Sequence, residues 1–207
     1  MSRQGTWRVC GVVLALVARV AGAADAQPLG ITAVPLSHPQ RANHQWAVYL
    51  DGYIDSGATD RLAGLMRREG IRQALVFLNS PGGSLLAAMD LGRLLRMHGF
   101  DTNVGRRALD GGEPGAGVCY SACPFAFAGG VRRSLLPGSA LGVHEPRNRT
   151  PVVDSQAFER RVAVDATAYL EGMGVSPVLA TFMAQAPHDT IRLVSRGEAE
   201  RLALVND

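Results

Sequence analysis

The sequence predicts an α/β domain with a largely parallel sheet, and three observations carry that expectation. Strand-length apolar runs alternate with amphipathic helical stretches. Glycines punctuate the strand-to-helix joins. The chain has 207 residues, enough for one sizeable core and too few for two.

The elements follow in order. Trp46 to Ile54 reads as a strand, and Thr59 caps a helix through about Gly70 with Leu62, Leu65 and Met66 on one face. Ala74 to Leu78 is an apolar strand of the fully buried kind, stopping at Asn79-Ser80-Pro81-Gly82-Gly83. A second helix, Ser84 to His98, repeats apolar residues at Leu85, Ala88, Met89, Leu91, Leu94 and Leu95 before Gly99 ends it. A strand near Asp101 to Val104 completes the βαβ alternation. The Gly-rich stretch Gly111 to Gly117 then leads into Val118-Cys-Tyr-Ser121-Ala-Cys123-Pro124, where a buried helix is expected to start at Ser121. Short strands are expected over Arg132 to Leu136 and Ala140 to His144. Helices are expected over Ser155 to Met173, Ser176 to Ala186 and Ser195 to Leu204.

Upstream of this domain the chain divides in two. Arg3 and Arg8 precede an apolar run from Cys10 to Ala18 and the small residues Ala21-Gly22-Ala23-Ala24-Asp25-Ala26, the order of a secretory signal peptide over residues 1–26. The run is interrupted by Arg19 and is well short of the about 20 residues a spanning helix needs, so a membrane location follows only if the segment stays uncleaved. A bacterial periplasmic or secreted destination is expected. Residues 27–45, rich in Pro, Gln and His, read as an extended lead-in without a motif, and the domain is placed at 46–207.

Composition removes several functions. All 21 basic residues are arginine, so lysine bases, lysine Schiff bases and the phosphate-loop lysine are excluded. A net charge of +3, with arginine pairs scattered along the chain, gives no nucleic-acid footprint. No residue cluster calls for a metal or another cofactor. In an exported chain Cys119 and Cys123 stand where a disulfide is permitted. Their spacing leaves a disulfide, a pair of buried thiols and a metal site all open.

Three features carry chemistry. The Asn79 to Gly83 loop joins a buried strand to a helix, and its adjacent glycines free backbone N–H groups to face a ligand oxygen; the same loop also serves as an ordinary tight turn. Ser121, at the start of a buried helix, is placed either as a nucleophile or as a simple N-cap. His144 closes an apolar strand beside a turn, where a histidine acts as general base or fills a structural role. His38, His44, His98 and His188 are less well framed.

Taken in order, the Asn-Ser-Pro-Gly-Gly loop, the serine entering a helix and the histidine at a strand end resemble the Clp protease proteolytic subunit family. The resemblance runs from about Trp46 to Val205 and includes Ser195-Arg-Gly-Glu198-Ala199. It is stronger still toward exported, uncharacterised relatives with a Cys-x-Ser-x-Cys motif. It implies a ClpP/crotonase-like spiral of βαβ units with C-terminal helices. It also implies Ser121 as nucleophile, His144 as base, and N–H groups of Gly83 and Ala122 as oxyanion donors. The family's aspartate falls in strict alignment on Ile191, and Asp189 is the best substitute; His188 or a two-residue dyad remain alternatives. The expected activity is ATP-independent serine hydrolysis of a peptide or protein, by a homo-oligomer, with no ATPase partner assumed for an exported chain. The long helix from Ser155 either serves subunit contacts, as in that family, or packs on its own core. Two other readings stay open: a non-catalytic peptide-binding or assembly module, and the thioester-binding branch of the fold, which export disfavours.

Overall fold

The computed structural model describes residues 27–40, 44–145 and 155–207. Residues 1–26, where a signal peptide is expected, and residues 146–154 lie outside the described residues. Among the described residues no helix is long and apolar enough to cross a membrane.

The fold is α/β, as the sequence predicts. A sheet of order β1-β2-β3-β4-β6 is built from β1 (Gly30–Gln40), β2 (His44–Asp51), β3 (Ala74–Asn79), β4 (Asp101–Val104) and β6 (Arg133–Leu135). All neighbours in it are parallel except β1 and β2. A smaller sheet of order β5-β7-β8 contains β5 (Val118–Tyr120), β7 (Ala140–Val143) and β8 (Arg192–Val194), with β5 and β7 parallel. The described residues also form six helices: α1 (Ala58–Glu69), α2 (Leu85–Met97), α3 (Cys123–Ala128), α4 (Ser155–Gly172), α5 (Val178–Ala184) and α6 (Arg196–Arg201).

Local chemistry explains most element ends. Ser84 caps α2 by accepting from the Ala87 N–H, and Gly70 closes α1 in a left-handed conformation. Ser195 and Glu198 form a reciprocal capping box at α6. At α1 the expected Thr59 cap is displaced: Gly57 is the N-cap, and the Asp55 carboxylate takes the Gly57 N–H at 2.9 Å. Three strands, β1, β5 and β8, are additional to the elements expected from the sequence. The lead-in is extended, and it is β1, pairing in register with β2 from Gly30 opposite Asp51 to Pro35 opposite Trp46. β8 escapes sequence reading because three residues, one exposed, one half-buried and one buried, are too few to show a periodicity.

The core lies between the sheet and the helices. Val48, Leu50, Val76, Leu78, Thr102 and Val104 come from the same face of β2, β3 and β4, and all are buried. Every residue of α3 is buried. It packs so closely on α2 that a Cβ at Gly129 would strike the backbone of Gly92. The carbonyls ending α3 are taken by two arginines: Arg96 binds Ala128, Gly129 and Gly130, and Arg133 binds Gly130 as well as Ala203 and Leu204 near the C-terminus. Burial lowers the Arg133 pKa to about 10. The second half of α4 packs on this core through Ala166, Tyr169 and Leu170, and the Tyr169 hydroxyl donates to the Phe125 carbonyl at 2.7 Å. Val164 on the same helix is exposed.

Candidate active site

The loops leaving the C-terminal ends of three parallel strands carry Gly83, Ser121, Ala122 and His144, the position where open parallel sheets place ligands. β3 leads to the glycine loop, β5 to Ser121 and β7 to His144.

The first two loops are tied together by the strand ends. Beyond β3, Ser80 forms a parallel bridge with Cys119, donating to the Val118 carbonyl at 2.7 Å and accepting from the Tyr120 N–H at 3.0 Å. Asn79 spans three strands, with its Nδ2 on Asp51 and its Oδ1 accepting from the Val118 N–H, each at 3.0 Å. The glycines are then required by approach distance. A Cβ at Gly82 would lie 2.5 Å from the Ser121 Cβ, and one at Gly83 would run into the Ile54 carbonyl oxygen. Both have positive φ, 114° and 152°. The Gly82 carbonyl accepts from Ile54 and the Ile54 carbonyl from Ser84. Among the described residues the Gly83 N–H has no acceptor.

Ser121 sits at a sharp turn between β5 and α3. Its φ is 60°, a left-handed conformation that costs a non-glycine residue about 1–2 kcal/mol. Its N–H extends the β5–β7 ladder to the Gly142 carbonyl at 2.9 Å, and its neighbour Ala122 occupies the N-cap of α3. The N-cap role expected as the ordinary alternative for Ser121 is therefore filled by a residue with no capping side chain. The Ser121 hydroxyl and the Ala122 N–H make no hydrogen bond among the described residues. Cys119 and Cys123, either side of this turn, are joined in a disulfide with a Cα separation of 5.1 Å, which selects one of the three states the spacing left open.

His144 follows β7 directly, and Tyr120 pairs with Gly142 across the β5–β7 ladder, so the serine and the histidine leave adjacent parallel strands at nearly the same level. The half-buried imidazole has its Nδ1 2.7 Å from the Glu145 carbonyl oxygen. A carbonyl only accepts, so Nδ1 carries the proton and Nε2 of the neutral ring is the basic nitrogen. Nε2 and the Ser121 hydroxyl are not hydrogen-bonded to one another.

Asp189 is not brought onto His144. It is exposed in the turn before β8 and makes no hydrogen bond or ion pair among the described residues. His188 beside it is exposed too. Ile191, at the family's aspartate position, packs instead against Gly142 and beside Tyr120. The Glu145 carbonyl as a partner for the imidazole was invisible in the sequence because any residue supplies a main-chain carbonyl.

Next to the glycine loop, a groove of about 480 Å³ runs between α2 and α4, with Leu86, Met89, Tyr169 and Met173 as apolar walls and Arg93 and Asp165 as polar ones. Leu86 lies in the first turn of α2, just beyond Gly83 and Ser84, and is more than half exposed.

No family model matches the chain, and no curated protein does. Among solved structures it is similar to a mutant of the 1510-N membrane-bound stomatin-specific protease, with 15% sequence identity, a TM-score of 0.51, and coverage of 77% of this chain and 76% of that one. At that identity the likeness is one of fold: a mixed α/β protein with a mostly parallel sheet and packed helices, an architecture that a protease also uses.

Proposed function

We propose that the chain is an exported serine hydrolase, a peptidase by resemblance, built on a Clp-protease-like fold and independent of ATP. The observation that carries the reading is Ser121: a serine held in a left-handed turn with an unbonded hydroxyl, at the end of the strand adjacent to the one that delivers His144. Non-glycine residues persist in such conformations where the surroundings over-determine them, and these places cluster at functional sites. The protease fold of the solved relative supports a hydrolytic role for this architecture.

The proposed chemistry is acyl transfer to water. His144 Nε2 takes the Ser121 Oγ proton as Oγ attacks the substrate carbonyl carbon, and the resulting oxyanion accepts the free N–H groups of Gly83 and Ala122. The proton passes from His144 to the leaving amine or alcohol as its bond to carbon breaks. Water then releases the acyl group by the same steps. The Glu145 carbonyl fixes the tautomer this requires, a task that falls to an aspartate in the familiar triad. Asp189 stays in the proposal as a minor carboxylate partner for the imidazolium, secondary to the Glu145 carbonyl that already holds the tautomer. The groove beside Leu86 and Met89 suits an apolar substrate side chain. Secretion, a peptide or protein substrate and assembly as a homo-oligomer belong to the same proposal.

A second reading, a non-catalytic peptide-binding or assembly module, is favoured by one observation: the Ser121 hydroxyl and His144 make no hydrogen bond to each other. Fluorophosphonate labelling, mapped by mass, separates the two. Labelling at Ser121 that disappears in Ser121→Ala and His144→Ala supports the hydrolase; a folded protein that captures peptides and does not label supports the module.

A further inference from the structure

We propose that the Cys119–Cys123 disulfide is a positioning element for the nucleophile, setting the geometry of Ser121 and of the Ala122 N–H; the proposal rests on the serine-hydrolase reading. The bond closes a ring whose interior residues are Tyr120, Ser121 and Ala122, the segment that bears the nucleophile and one oxyanion donor. Its two ends are anchored in different elements. Cys119 pairs with Leu141 in β7 and bridges to Ser80, and Cys123 is the first residue of the buried α3. Both cysteines are completely buried.

Stability alone is a weak reason for such a bond. In the chain-entropy account, what a disulfide removes from the unfolded ensemble grows with the length of the loop it closes, and this ring is near the short limit. Cys119 and Cys123 also belong to a core that packs them on all sides, where small apolar side chains would serve for burial. What the covalent link adds is a fixed relation between the end of β5 and the start of α3 at the one join that must turn through a φ of 60° at a serine. On one side of that turn stands the Gly142 carbonyl holding the Ser121 N–H, on another the Cα of Gly82 pressed against the Ser121 side chain. Opening the ring lets the turn relax toward ordinary backbone, which moves Oγ away from His144 and tilts the Ala122 N–H out of the oxyanion site. Displacement of a reacting group by an ångström costs on the order of 100-fold in rate.

The test compares four preparations: the oxidised protein, the protein reduced with dithiothreitol, the same protein reoxidised, and the double variant Cys119→Ala/Cys123→Ala. In the reduction, two electrons pass from dithiothreitol to the protein disulfide, two protons end on the cysteine sulfurs, and dithiothreitol leaves as its cyclic disulfide. Each preparation is followed by intact mass, circular dichroism, the rate of fluorophosphonate labelling at Ser121, and hydrolysis of p-nitrophenyl butyrate. The reduced protein and the double variant are expected to keep the folded circular dichroism spectrum and to label roughly 10- to 100-fold more slowly. The loss should fall on kcat with KM held, and reoxidation should restore the wild-type protein. Labelling at the oxidised rate in a double variant confirmed to lack the bond would overturn the positioning role and leave the hydrolase reading standing. Loss of the folded spectrum in both the reduced and the double-variant forms would assign the bond to folding and overturn it as well. Absence of labelling in the oxidised, folded wild type would overturn the hydrolase reading and this proposal together.

Discussion

Two histidines stand at opposite ends of the parallel strands, and they differ in their partners. His44 opens β2 and is buried; its Nε2 donates to the Asp101 carboxylate at 2.8 Å, and Arg132 holds the same carboxylate through Nε and Nη2 at 2.9 and 2.6 Å. His144 follows β7, is half-buried and, among the described residues, has a main-chain carbonyl on its Nδ1. The better-furnished pair, however, sits at the N-terminal ends of β2 and β4, with the buried His44 Nδ1 unpartnered among the described residues. The plainer one sits where β3, β5 and β7 end and release two glycines, a serine with a free hydroxyl and two free N–H groups. Strand polarity gathers the groups of the proposed site; a carboxylate beside an imidazole does not by itself.

The comparison breaks or sharpens under substitution, from the largest effect to the smallest. Ser121→Ala and His144→Ala should each lower turnover by on the order of 10^4- to 10^6-fold with the fold intact, whereas His44→Gln should leave turnover within a few-fold of wild type. Serine labelling and hydrolysis of a chromogenic ester check all three, and a His44 variant as inactive as His144→Ala would erase the distinction. Gly83→Ala should cost on the order of 10^2- to 10^3-fold, because its Cβ meets the Ile54 carbonyl and the loop that offers the oxyanion N–H must shift.

Asp101→Ala acts on stability instead. It should lower unfolding free energy by about 1–3 kcal/mol through loss of a buried acceptor, with kcat unchanged, as read from urea denaturation beside initial rates. The same carboxylate gives a pH signature. Burial pushes the Asp101 pKa up, but its hydrogen bonds to Arg132, with a smaller contribution from His44, outweigh that and hold it below the ordinary carboxylate value. A depressed folded-state pKa means that the stabilisation is complete above the unfolded value of about 4 and is lost as the pH falls through the lower folded one. Denaturation midpoints should therefore fall more steeply below about pH 4 in the wild type than in Asp101→Ala. Asp189→Asn is expected to have the smallest effect, less than about tenfold on kcat, because Glu145 already holds the imidazole tautomer. A loss near 10^4 would show that the turn before β8 closes onto His144 during turnover.

Much of this was legible in the chain. The strand from Ala74 and the helix from Ser84 are signalled by periodicity and caps, and the structure reproduces them within a residue or two. The glycine pair after Asn79 announces a close backbone approach without saying to what; the partners are Ser121 and Ile54. β8 and the pairing of β1 were not legible, since each is an extended segment whose role depends on a neighbour remote in sequence. Asp189 shows the same limit in reverse: the motif places an acid near the histidine in order, while the antiparallel register of β7 and β8 leaves it exposed in the turn.

By itself the sequence determined the α/β class, the single core and the exclusion of lysine chemistry, and it supplied the residues proposed as nucleophile, base and oxyanion donors. Those are properties of residue type and short-range periodicity, and they survive without knowledge of what packs on what. The left-handed turn at Ser121, the closed ring between Cys119 and Cys123, the tautomer of His144 and the separation of Asp189 from it were decided by tertiary structure alone. Each depends on where one strand ends relative to another, and that is set by sheet register and packing across the fold.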